Sequence, residues 1–180
     1  MVVFTVGHGA RPVEAFVAVL VDAPVTLLVD IRRYPGSRRH PQFGRTALAT
    51  ALDRAGIRYE WRGEALGGRR SRAGASRHTA LRVPAFAAYA DHMDTVEFRS
   101  AVTTLVARAA RERLAVMCAE TVWWQCHRML VADALAMRGA TVVHLLDVGH
   151  RQAHRPHPTV RRGPDGWPGY DVADTLPGLD

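Results

Sequence analysis

The chain has 180 residues, 48% of them apolar and 23% charged, which are the proportions of a globular domain and exclude a disordered segment. Its formal charge is +7 and all 24 basic residues are arginine, which excludes imine chemistry on a lysine side chain. No apolar run reaches the roughly 20 residues that cross a bilayer, the first residues show no leader pattern, and two cysteines cannot build a secreted disulfide framework, so a single cytoplasmic-type domain without a membrane partner is expected.

Val2–Val6 is a short β-branched run that ends in Gly7-His8-Gly9. Pro12 then stands where a helix begins, with Phe16, Val19 and Leu20 at helical spacing. Val25–Val29 is a second apolar run, too short for a helix, and it ends in Asp30-Ile31-Arg32. Strand, helix, strand with apolar strands predicts a parallel sheet covered on both faces. Arg32 to Phe43 is polar and reads as a loop. Leu48, Ala51, Leu52 and Ala55 predict a helix stopped by Gly56, and Ile57–Trp61 a third strand.

Gly67 to Val83 is basic and loop-like. Helices are expected around Pro84–His92 and from a Thr95 cap through Phe98, Val102 and Leu105 to Ala109. Leu114–Met117 predicts a strand that delivers Cys118-Ala119-Glu120. Cys126-His127-Arg128 opens a helix to Arg138, and Thr141–Leu145 closes the sheet. The expected fold class is thus α/β: residues 1–148 form a mainly parallel sheet of about five strands with helices on both faces. Residues 149–180 hold five Pro and five Gly and are expected to be an irregular tail.

The arginines are unevenly spread. Between Arg32 and Arg82, thirteen face three acids (Asp53, Glu60 and Glu64), a local balance of +10. Such a block fits nucleic acid or a nucleotide, or else forms a solvated basic face without a partner.

In an open parallel sheet, ligands bind beyond the C-terminal strand ends. Three strands here end in reactive or polar residues: His8 after the first, Asp30 and Arg32 after the second, Cys118 and Glu120 after the fourth. Several chemistries are compatible with this set. Cys118, Cys126 and His127 would need a fourth zinc ligand, and their spacing matches no standard zinc pattern, so neither a metal nor a cofactor is expected. A phosphatase-like thiolate requires an Arg six residues after the Cys, where this chain has Trp124. A rhodanese-type sulfur carrier shares the Asp-x-Arg and the strand-end Cys, but lacks the compact loop that steadies a persulfide. Carboxylate chemistry remains: Asp30 or Glu120 orients water while Arg32, Arg38, Arg39, Arg69, Arg70, His127 and Arg128 hold phosphate. Tyr34, Phe43 and Trp61 are the candidates to stack on a base, and otherwise fill the rim of the core.

Thr5-Val6-Gly7-His8-Gly9, Leu28-Val29-Asp30-Ile31-Arg32, Pro35-Gly36-Ser37-Arg38-Arg39 with Pro41-Gln42-Phe43, Leu66-Gly67-Gly68-Arg69-Arg70, and Met117-Cys118-Ala119-Glu120 with Cys126-His127-Arg128 stand in one order. As an ordered set, from about Val3 to Leu146, they resemble the domain of unknown function 488 family. In that family the first motif more often reads Gly-His-Ser, a Pro-Glu-Leu often precedes the glycine pair, and the stretch 121–125 commonly carries charges; this chain departs at all three. The resemblance implies the fold and the choice of residues, and no reaction.

The expected function is an enzyme acting on nucleic acid or nucleotides, cleaving an N-glycosidic bond by carboxylate-based hydrolysis in a repair-like role. The alternatives are a thiol or sulfur-transfer enzyme using Cys118, and a non-catalytic nucleic-acid-binding module.

Overall fold

The computed structural model of the chain describes residues 1–36, 38–71 and 74–171. The apolar runs form strands and the periodic segments form helices: β1 (Val2–Gly7), α1 (Val13–Asp22), β2 (Leu27–Asp30), α2 (Arg45–Asp53), β3 (Arg58–Trp61), a short α3 (Gly63–Leu66), α4 (Pro84–Met93), α5 (Val96–Arg108), β4 (Leu114–Cys118), α6 (Arg128–Met137) and β5 (Thr141–Asp147). The Thr95 hydroxyl caps α5 by accepting from the Phe98 backbone N–H at 3.3 Å. Among the described residues no helix is long and apolar enough to cross a membrane.

The sheet runs β3-β2-β4-β1-β5 in parallel. Alternate side chains of the strands face two separate cores. On one side Phe4, Val6 and Leu28 pack against Phe16 and Leu20 of α1 and Leu48 and Leu52 of α2. On the other, Val3, Val29 and Val116 meet Tyr89 of α4, Phe98 of α5 and Leu130 of α6. β4 therefore lies in the middle of the sheet, with β2 on one side and β1 on the other, and the ends of all three strands open on the same edge.

Residues 150–171 carry more regular structure than their Pro and Gly content suggests, and 172–180 of the expected tail lie outside the described residues. β6 (His150–Ala153) adds a sixth, antiparallel strand beside β5, and β7 (Val160–Arg162) and β8 (Pro168–Tyr170) form a hairpin. Buried side chains hold it down. Asp133 of α6 accepts from the Tyr170 hydroxyl at 2.8 Å and the His157 backbone N–H at 3.1 Å, and its Oδ1 lies 2.8 Å from His154 Nε2. Trp167 is buried with the guanidinium groups of Arg99 and Arg138 over its ring. β8 in turn ties down the segment before α4: the Ala80 backbone N–H donates to the Tyr170 carbonyl at 3.0 Å, and the Tyr170 N–H donates to His78 Nδ1 at 3.2 Å. The C-terminal hairpin thus fixes the approach to α4, the helix that borders the strand-end cleft.

Candidate functional site

The turns after β1 and β4 are locked together. His8 and Gly9 backbone N–H groups donate to the Cys118 and Ala119 carbonyls at 3.1 and 2.8 Å. Gly7 is required for this closure, since a Cβ there would collide with the Glu120 carbonyl and sit 2.9 Å from Arg128 Nη1. Gly9 has φ +57, the left-handed region that glycine adopts without strain.

Asp30 is fully buried, and its carboxylate accepts four hydrogen bonds. The Arg32 backbone N–H and Nε each donate at 2.9 Å, Arg32 Nη2 at 2.5 Å and the Tyr59 hydroxyl at 2.7 Å. Arg32 Nη2 also donates to the Phe43 carbonyl at 2.8 Å. His8 Nδ1 lies 2.8 Å from the Gly9 carbonyl, which can only accept, so Nδ1 carries the proton and Nε2 accepts from Arg32 Nη1 at 3.3 Å. Burial, with the charge of Arg32 adding to it, lowers the His8 pKa to about 4, so the ring is neutral near pH 7. Asp30 is therefore occupied in aiming Arg32 and has no lone pair left to orient a water molecule.

Cys118 and Cys126, eight residues apart in sequence, come together at the end of β4 and the start of α6. Cys126 Sγ donates to Cys118 Sγ at 3.0 Å, and His127 Nδ1 lies 3.4 Å from Cys126 Sγ and 3.7 Å from Cys118 Sγ. The hydrogen bond from Cys126 holds the Cys118 thiol well below its ordinary pKa, against burial and with help from His127 and Arg128. The same hydrogen bond, together with burial, pushes Cys126 up. Arg128 is buried beside them. Its Nη2 donates to the Glu120 and Thr121 carbonyls at 3.0 and 3.1 Å, while Nε and Nη1, like His127 Nε2, have no hydrogen-bond partner among the described residues. Cys118, Cys126 and His127 form the one group of three or more His, Cys, Asp or Glu among the described residues that could hold a metal ion; their ligand atoms lie within 4.8 Å of one another.

A cleft of about 240 Å³ opens over this cluster. Its buried side includes Cys118, Cys126 and Tyr89, and exposed Tyr34, Arg69 and Glu120 stand around its mouth. Arg32, Arg33 and Phe86 also line it. A neighbouring depression shares Arg33, Tyr34 and Arg69 and adds Arg70. Only some of the arginines are ion-paired, and Arg11, Arg45 and Arg138, away from the cleft, have no carboxylate partner among the described residues. Arg58, Arg62, Arg77, Arg99, Arg108 and Arg151 each pair with a carboxylate. Arg33, Arg38, Arg39, Arg69 and Arg70 have no carboxylate partner among the described residues. Arg70 donates to the carbonyls of Gly67 (at 2.8 Å) and Glu64, and burial, with the charge of Arg33, lowers its pKa.

The expected site residues thus separate into groups. His8, Asp30, Arg32, Cys118, Glu120, His127 and Arg128 gather at one sheet edge, and Tyr34, Arg69 and Arg70 surround the cleft or its extension. Arg38 and Arg39 are exposed on the segment before the turn Pro41–Phe43 and do not line the cleft. Two aromatic expectations are corrected. Phe43 is fully buried and stacked on His8 at 4.2 Å, so it has no face for a base. Trp61 lies behind Arg32, donating to its carbonyl at 2.8 Å with Arg45 over its ring, and does not line the cleft. Phe86 and Tyr89 of α4 border the cleft instead; in sequence they are ordinary apolar positions of an amphipathic helix, and only the fold reveals them.

A family model described as "Domain of unknown function DUF488" matches residues 12–135. No curated protein and no solved structure matches the chain.

Proposed function

Because the chain belongs to the DUF488 family, whose description states no reaction, we propose from the site itself that it is a hydrolytic enzyme acting on a nucleotide unit, free or within nucleic acid, and cleaving its N-glycosidic bond. The observation that carries this reading is the set of arginines without carboxylate partners, Arg33, Arg69 and Arg70, around a cleft that also presents aromatic rings and a carboxylate. Guanidinium groups left unpaired at a concave surface are available for bidentate contacts to phosphate. Tyr34 and Phe86 supply faces on which a base stacks. With Asp30 spent on Arg32, Glu120 is the carboxylate left to orient water and accept its proton at the sugar carbon. Arg32, held by Asp30 and His8, presents a fixed positive charge to that reaction, and Asp30 is a positioning residue. The chain has no lysine, so a strand-cleaving step through a lysine imine is not open to it.

The test is incubation of labelled single- and double-stranded oligonucleotides and free nucleotides with the protein, followed by identification of the products. The proposal predicts released base, lost in Glu120→Gln. Turnover that yields no free base, or base release unchanged in Glu120→Gln, contradicts it. A second reading, covalent chemistry at Cys118, is favoured by the 3.0 Å approach of Cys126. It predicts a product bonded to Cys118 in stalled reactions, detectable by intact-protein mass spectrometry, and survival of activity in Glu120→Gln.

A further inference from the structure

We propose that Cys118, Cys126 and His127 hold one thiophilic divalent metal ion of the zinc class, bound through Sγ, Sγ and Nδ1, with the fourth position facing the cleft. The chemistry assigned to that position rests on the reading of the cleft as a substrate site; the metal site itself rests on geometry.

The distances suit a tetrahedral centre. With zinc–sulfur bonds of about 2.3 Å and zinc–nitrogen bonds of about 2.0–2.1 Å, a regular tetrahedron has S···N edges of roughly 3.5 Å and an S···S edge of roughly 3.8 Å. The two S···N separations here are 3.4 and 3.7 Å, on either side of the first value. The sulfurs stand 3.0 Å apart because one thiol hydrogen-bonds to the other; replacing that proton by a metal ion opens the pair by roughly 0.8 Å. The proton leaves to solvent as the thiol ionises, so uptake of metal releases acid.

The surroundings fit a bound thiolate and a clear imidazole edge. The Arg128 backbone N–H points at Cys126 Sγ at 3.5 Å, a contact that orients a sulfur ligand. Gly68 packs over the imidazole, where a Cβ would come within 2.8 Å of His127 Nδ1, so the glycine keeps the coordinating edge free. With Nδ1 on the metal the ring proton sits on Nε2, which is buried and has no acceptor among the described residues.

Charge accounts for Arg128. Two thiolates balance a divalent ion, and the buried guanidinium, whose Nε and Nη1 have no partner among the described residues, then balances one anion at the fourth position. A hydroxide is such an anion, and a metal ion lowers the pKa of its bound water toward neutrality. All three ligand residues line the cleft together with Glu120, so the fourth position is reached from the substrate side. The site would thereby supply the attacking water of the hydrolysis proposed above.

The test uses the full chain. Elemental analysis after expression with zinc is expected to find about one ion per chain, and cobalt(II) added to chelator-treated protein is expected to give sulfur-to-cobalt charge-transfer absorption. Cys118→Ser, Cys126→Ser and His127→Ala each lose that absorption, and Gly68→Ala weakens zinc binding on the order of 10–100-fold by displacing the ring. Circular dichroism of each variant separates loss of ligand from loss of fold. The proposal is overturned if the folded wild-type protein binds no zinc and a thiol reagent titrates both cysteines equally with and without zinc. Base release that persists in such metal-free protein would leave the hydrolytic reading standing alone. Stoichiometric metal without any turnover would leave the metal site standing alone.

Discussion

Four hydrogen bonds converge on the buried Asp30 carboxylate, three from Arg32 and one from Tyr59. Removing one partner of such a pair leaves a charge without solvent or counter-ion, so Asp30→Ala is expected to cost about 3–5 kcal/mol of stability, read by chemical denaturation. Tyr59→Phe removes a single hydrogen bond and costs about 1 kcal/mol. His144 offers a pH-dependent counterpart. It is buried under the Trp123 ring, its Nδ1 is 2.6 Å from the Thr5 hydroxyl, and its Nε2 is 3.0 Å from His154 Nδ1. Burial, with the charges of His154 and Arg128, lowers its pKa from 6.5 to about 3. Below its ordinary value the unfolded chain takes up a proton that the folded chain refuses. Stability therefore falls as pH drops from 6.5 toward about 3, by up to about 1.4 kcal/mol per pH unit from this group. Thermal melts across that window are expected to show the slope, and His144→Asn to reduce it, leaving the contribution of His8 between 6.5 and about 4, even if the variant is less stable throughout.

At the scale of elements, β1, β2 and β4 were legible as continuous apolar runs because both their faces are buried, and α5 as a helical spacing because it buries one face; all four lie within a residue or two of their expected bounds. The C-terminal stretch was not legible for the opposite reason. β6 is an edge strand whose residues His150–Ala153 are largely exposed and show no alternation, and the hairpin is anchored by isolated aromatics, Trp167 and Tyr170, among Gly and Pro. The approach of Cys126 to Cys118 was hidden too, since it depends on how a strand end, a turn and a helix start close around Gly7 and Arg128. Phe43 beside arginines resembled a stacking residue, but the turn at Pro41–Phe43 points it into the core beneath His8. Two element-scale outcomes follow from these anchors. Thr95→Ala removes the α5 cap and costs about 1 kcal/mol. Deleting residues 158–180 removes Trp167 and Tyr170 from the core and costs at least about 3 kcal/mol, read as a lowered denaturation midpoint.

Over the whole molecule the +7 charge is less informative than its pairing. Arginines on β3, α5 and β6 are neutralised by nearby acids and Arg32 by Asp30, whereas Arg33, Arg69 and Arg70 at the strand-end cleft and its neighbouring depression have no carboxylate partner among the described residues. The bulk excess of arginine was visible in the sequence between Arg32 and Arg82, but which of these residues remain available to a ligand depends on the fold, because Arg58, Arg62 and Arg77 in the same block are ion-paired. The measurement that tests the account most directly is the salt dependence of oligonucleotide binding by the wild-type protein and by a variant with Arg33, Arg69 and Arg70 all changed to Gln. If these side chains grip phosphate, wild-type affinity falls steeply with salt and the variant's log–log slope is shallower by about 2 on single strands and about 3 on duplex. Equal slopes and equal affinities, or no wild-type binding at low salt, would contradict the assignment of the cleft to a phosphate-bearing substrate.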